Sequence, residues 1–121
     1  MTDHDDTIAA LKALVAKFRD EREWSQFHNP KDLAASISIE AAELLELFQW
    51  KDTAELDALL ADPAQRQHVE EEVADVVVYC LNMSDTVGFD LAEAIKAKLR
   101  ANAEKYPVDK ARGSAKKYTE I

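Results

Sequence analysis

Apolar residues recur at intervals of three and four along almost the whole chain, and only two glycines and three prolines interrupt them. That spacing marks one face of an α-helix, and so little turn chemistry leaves a β-rich fold without connections. The expected fold class is all-α. Ile8, Leu11, Leu14, Val15 and Phe18 define a first helix from about Asp6 to Glu23. The segment WSQFHNP, residues 24–30, breaks it, and Asn29-Pro30 predicts a new start: a side-chain cap, then a ring whose missing N–H costs nothing there. Leu33, Ile37, Glu40, Leu44 and Leu47 form the stripe of this second helix, which is expected to end near Trp50. Asp52 with Glu55 three later reads as the cap of a short helix through about Leu60. Asp62-Pro63 repeats the Asn-Pro device and opens a long helix carrying Val69, Val73, Val76, Val77, Cys80 and Leu81, with Gly88 as its stop. The VVVY within it is β-prone by propensity but sits inside a helical pattern and is assigned to the helix. Asp90 with Glu93 caps a further helix through about Lys105, and Pro107 bars its extension. The expectation is one domain over residues 1–121, of four main helices plus a short one, ending in a basic, polar tail that reads as an ordered arm or a loop that orders on binding.

Charge removes several classes of function. The net charge is −9, whereas a protein of duplex DNA or RNA needs a basic face to displace counterions. The same charge disfavours adsorption to an anionic membrane, and no apolar run approaches the length of a span. MTDHDD at the start lacks the basic and apolar regions of a signal peptide, and the single cysteine, Cys80, allows no intramolecular disulfide. Cys80 reads as an inert core residue, and the chain as a cytoplasmic one.

Two acidic pairs stand against this background. Glu40-Ala41-Ala42-Glu43 puts two carboxylates on one helix face, one turn apart, and Glu72-Val73-Ala74-Asp75 does the same on the long helix. Like charges among apolar neighbours repel unless a cation lies between them. Carboxylates converging from two facing helices would suit hard ions with oxygen ligands, Mg²⁺ first and Mn²⁺ as a substitute. The alternative is that both pairs are solvated surface charge, which is how Glu46, Glu70 and Glu71 are read. Ligand chemistry argues against a di-iron centre, since no histidine follows a glutamate by three.

The order of motifs resembles a known family. FHNP, EAAELLELFQW, EEVADVVVYCL, KLRANAEKYP and the terminal RGSAKKYTEI are similar to segments of the MazG-like all-α nucleoside triphosphate pyrophosphohydrolases, closest to their dCTP pyrophosphatase branch. The resemblance implies a helical bundle assembled as a homo-oligomer, a dimer or a dimer of dimers with the tetramer preferred, each active site being completed by a neighbouring subunit. It implies magnesium-dependent hydrolysis of a (deoxy)nucleoside triphosphate, dCTP or a modified pyrimidine first, to the monophosphate and pyrophosphate. By position, Glu40, Glu43, Glu72 and Asp75 match the family's metal ligands. Trp24, Ser25, Gln26, Phe27, His28 and Trp50 match the segments enclosing the nucleoside, and Tyr79 a substrate contact. Lys98, Asn102 and Tyr106 match the face turned to the polyphosphate, and Arg112, Lys116, Lys117 and Tyr118 the basic arm. Val15 departs from the pattern, standing where better-known eukaryotic members carry a histidine.

Several of these residues have a physical reading of their own. Tyr79 follows Asp75 by four, so its hydroxyl lies one turn along the carboxylate face. Trp24 and Trp50 flank the second helix and offer flat surfaces for a base, or else pack as ordinary core. Glu43 is the preferred acceptor for a proton from the attacking water. The competing function is a non-catalytic acidic helical interaction module, in which the carboxylates are surface charge and the aromatic segments an interface.

Overall fold

The structure, a computed structural model, describes residues 2–121. Six α-helices follow one another: α1 Ile8–Glu21, α2 Pro30–Glu46, α3 Thr53–Ala61, α4 Pro63–Val87, α5 Leu91–Lys105 and the single turn α6 Val108–Ala111. Short 3₁₀ segments lie at Trp24–Phe27 and Tyr118–Glu120, and no strand occurs among the described residues. None of the described helices is long and apolar enough to cross a membrane. By compactness the chain divides into two units, one reaching to Gly88 and one running from Phe89 to Ile121.

Local chemistry sets nearly every helix start. Asn29 Oδ1 accepts from the Asp32 amide at 2.9 Å, Asp52 from Glu55 at 2.9 Å, Asp62 from Ala64 at 3.0 Å and Asp90 from Glu93 at 2.9 Å. Each satisfies one of the amides that a helix N-terminus leaves without an internal partner. α1 begins slightly later than expected because Thr7 is its cap, accepting from the Ala10 amide at 3.0 Å. Gly88 ends α4 in the left-handed region, φ 87°, its amide returning to the Ser84 carbonyl. The VVVY segment is helical throughout.

The end of α2 differs from the expectation. Regular helix stops at Glu46, and residues 47–50 form a turn in which the Phe48 amide reaches the Leu45 carbonyl at 3.0 Å. Trp50 then turns the chain with φ 68°. Three-residue bonds tighten the last turn, and a left-handed residue closes it without the glycine that usually signals such a stop.

Within the first unit α2 packs chiefly on α4, with α1 and α3 against α4 as well. Leu33 of α2, Leu59 of α3 and Leu81 of α4 are buried at their meeting points, Leu33 with 1% of its surface exposed. Cys80 is half-buried beside this core. Leu11, Leu14 and Phe18 of α1, Ile39 and Leu45 of α2, and Val73, Val77 and Val78 of α4 stay exposed. In the second unit the tail is ordered: Tyr118 meets Tyr106 edge-on, ring centres 6.0 Å apart, and Lys105 Nζ lies 5.0 Å from the Tyr118 ring.

Candidate active site

The packing of α2 on α4 brings the carboxylates together. One oxygen from each of Glu40, Glu43 and Glu72 falls within a group whose members all lie within 4.8 Å of one another. Glu40 Oε2 and Glu72 Oε2 are buried with no hydrogen-bond partner among the described residues. Desolvation, a hydrogen bond with Glu43, and repulsion from Glu43, Asp75 and Glu72 push the Glu40 carboxyl from an ordinary 4.5 up to about 7. Crowded carboxylates with orphaned buried oxygens are the donor set a hard divalent cation fits. Asp75 stands outside the group of three, yet near enough for its charge to act on Glu40.

One residue of this cluster was missed in the sequence. His68 Nε2 lies 3.2 Å from Glu72 Oε1, so that oxygen is held while its twin is left for a ligand. The signal was the i,i+4 spacing of His68 and Glu72, which lets the two side chains meet on one helix face.

Beside the carboxylates lies a cavity of about 420 Å³, within the range of small-ligand sites. Leu14, Val15, Phe18 and Arg19 of α1 line one wall, and Asp75, Val78, Tyr79 and Asn82 of α4 another, with Trp24 and His28 at the connection into α2. The spacing of Glu72, Asp75, Tyr79 and Asn82 keeps all four on one face of α4, and the run spans about 15 Å at the helical rise. A carboxylate cluster at one end and an apolar chamber at the other are thus laid along one helix.

Of the residues expected to enclose a nucleoside, Trp24 and His28 line the cavity, together with Tyr79, the expected substrate contact. Trp24 is set by an edge contact with Phe18, ring centres 5.8 Å apart. Burial, and then the Arg19 charge, push the His28 imidazole below its ordinary range, and its buried Nδ1 has no partner among the described residues. Ser25, Gln26 and Phe27 are exposed and do not line it; the Gln26 amide donates to the Glu23 carbonyl at 2.9 Å. Trp50 is 90% exposed and lies outside the lining. Lys98, Asn102 and Tyr106 belong to the second unit, where the spacing puts them on one stripe of α5 and its end. Arg19 and Asn82 were not anticipated. Arg19 has no local pattern that marks it and joins the site through the packing of α1 on α4, whereas the signal for Asn82 was its spacing of three from Tyr79 on the carboxylate face.

Acidic residues from two packed helices beside an apolar chamber define a helical protein able to hold a divalent cation next to a small-ligand cavity. The chain belongs to the MazG-like family, which it matches over residues 35–121. It is 39% identical over 115 residues to dCTP pyrophosphatase 1 of Rattus norvegicus and 37% identical over 115 residues to that of Homo sapiens. Each alignment covers 95% of this chain and 68% of the relative. The crystal structure of a pyrophosphatase from Archaeoglobus fulgidus is also similar, with a TM-score of 0.77 and 42% identity over 88% of this chain and 98% of that one.

Proposed function

We propose that the protein is a nucleoside triphosphate pyrophosphohydrolase that splits a deoxynucleoside triphosphate, dCTP or a modified pyrimidine first, into the monophosphate and pyrophosphate. The observation that carries this reading is the convergence of Glu40, Glu43 and Glu72, with buried unpartnered oxygens, at one end of an apolar cavity lined by Trp24, His28 and Tyr79. The dCTP pyrophosphatases among its relatives support the substrate class.

Glu40, Glu43 and Glu72, with Asp75 as the fourth candidate, would hold Mg²⁺, for which Mn²⁺ is a substitute, and the bound ion supplies counter-charge to the triphosphate oxygens. The remaining steps belong to the chain. Glu43, the most exposed of the three clustered glutamates, takes the proton of the water that attacks the triphosphate in line with the leaving group. The Tyr79 hydroxyl, one turn beyond Asp75, donates to the sugar or a phosphate oxygen. Trp24 gives the base a flat surface, and the apolar wall of α1 excludes water around it. Lys98, Asn102 and Tyr106 with the tail's Arg112, Lys116, Lys117 and Tyr118 are the polyphosphate-binding candidates in this reading, the whole chain acting as one catalytic domain of the cytoplasm.

The apolar side chains left exposed on α1, α2 and α4 support a homo-oligomer, a dimer of dimers, in which Trp50 reaches the cavity of a neighbouring subunit. The test is a panel of nucleoside and deoxynucleoside triphosphates with Mg²⁺, pyrophosphate and orthophosphate being measured separately. Pyrophosphate without orthophosphate, strongest for a pyrimidine deoxynucleotide, is expected. No release from any of the panel overturns the assignment.

A further inference from the structure

Asn82 is 4% exposed, and its Oδ1 is buried with no hydrogen-bond partner among the described residues. Ser84, two positions on and also buried, is satisfied locally, its hydroxyl donating to the Leu81 carbonyl at 3.1 Å. A buried carboxamide oxygen left unpaired costs folding free energy, so its presence on a cavity wall points to a ligand that completes it. A second polar side chain lines the same chamber. The Arg19 side chain, 12% exposed, is pinned by carboxylates: Nε donates to Asp20 Oδ1 at 2.8 Å, Nη2 to Asp20 Oδ2 at 3.3 Å and Nη1 to Asp85 Oδ2 at 2.7 Å. Three of the five guanidinium N–H groups are thereby committed, leaving two, without an acceptor among the described residues, as donors held by the pinned fork.

We infer that Asn82 and Arg19 are the specificity-determining pair for the base, reading a nucleobase edge that presents a hydrogen-bond donor beside an acceptor. The inference rests on the proposed nucleotide function. Asn82 and Arg19 belong to α4 and α1, the two helices that face each other across the chamber, and Asn82 lies about 10 Å along α4 from Asp75 at the helical rise. With phosphates at the carboxylates and the sugar at Tyr79, the base is the part of the nucleotide left to reach them. Its amino or imino N–H donates to Asn82 Oδ1, and its adjacent ring nitrogen or carbonyl accepts from Arg19. Leu14, Val15, Phe18 and Val78 offer no competing polar group. The pocket therefore chooses by edge pattern, whereas Trp24 alone would accept any base by stacking.

The experiment compares kcat/KM for the four deoxynucleoside triphosphates in the wild type, Asn82→Leu, Asn82→Asp and Arg19→Lys, with thermal melts of each. Asn82→Leu removes an unpaired polar group at similar volume, so its melting temperature should equal or exceed the wild type's. It should still lose tenfold to a hundredfold in kcat/KM for the best base, mainly through KM, with the worst base changed less than threefold. Asn82→Asp keeps an acceptor at Oδ1 but sets a second, charged acceptor in place of the amide N–H. That charge repels the accepting half of the base edge and should reorder the bases; the variant also answers the question if the leucine variant does not fold. Arg19→Lys keeps the charge without the fork and should narrow the preference. An unchanged ranking and ratio of bases in folded Asn82→Leu, or in Asn82→Asp where the leucine variant is unfolded, overturns the inference and leaves the enzyme reading standing. A wild type that hydrolyses no nucleotide overturns both.

Discussion

At the scale of single residues, Glu40 and Trp50 carry conformational and electrostatic costs that folding alone does not explain. The folded protein holds a proton on Glu40 up to about pH 7, while the unfolded chain releases it near 4.5. Proton binding therefore favours the folded state below 4.5, and this contribution is lost as pH rises through 7. Urea unfolding in EDTA across this range should show that loss in the wild type and a flatter profile in Glu40→Gln. Turnover by Glu40→Gln with Mg²⁺ should fall at least a hundredfold, measured as pyrophosphate release. Trp50 has φ 68°, a region that costs a bulky side chain about 1 kcal/mol or more. Trp50→Gly should therefore be more stable than Trp50→Ala by about 1 kcal/mol in denaturant melts, since both lose the indole and only glycine relieves the backbone. Both should raise KM if the indole serves a substrate.

Among the elements, the caps show which structural information is local. Asn29→Ala deprives the Asp32 amide of its acceptor and should lower stability by about 1 kcal/mol in urea titrations. Gly88→Ala meets no atom within 4 Å, so its cost, also about 1 kcal/mol, should be entirely that of the backbone. These features were legible in the sequence because a cap, its partner three residues on and a following apolar stripe all fall within two turns. The carboxylate pairs were legible for the same reason, a spacing of three being a statement about one helix face. The end of α2 was not, because Trp50 gives no sign that it adopts a glycine's conformation. Nor was the inner wall of the cavity. Arg19 and Asn82 are 63 positions apart in numbering, and only the packing of α1 on α4 makes them neighbours of one chamber.

For the molecule as a whole, metal and assembly should act through the same equilibrium. A cation that binds only the folded carboxylate cluster stabilises it by about 2.7 kcal/mol at a hundred times its dissociation constant. Thermal melts with and without Mg²⁺ should show a rise in Tm that Glu40→Gln and Glu72→Gln remove. Light scattering at micromolar concentration should report a mass above that of the 13.6 kDa chain, and an active monomer would contradict the proposed assembly. The 90% exposure of Trp50 also gives the protein an optical reporter. The chain has only two tryptophans, so Trp24→Phe leaves a single indole whose emission reports its own hydration. In a lone protomer that fluorescence should be red-shifted and readily quenched by iodide. Dilution through the subunit dissociation constant would then be visible as a colour change, with no label attached.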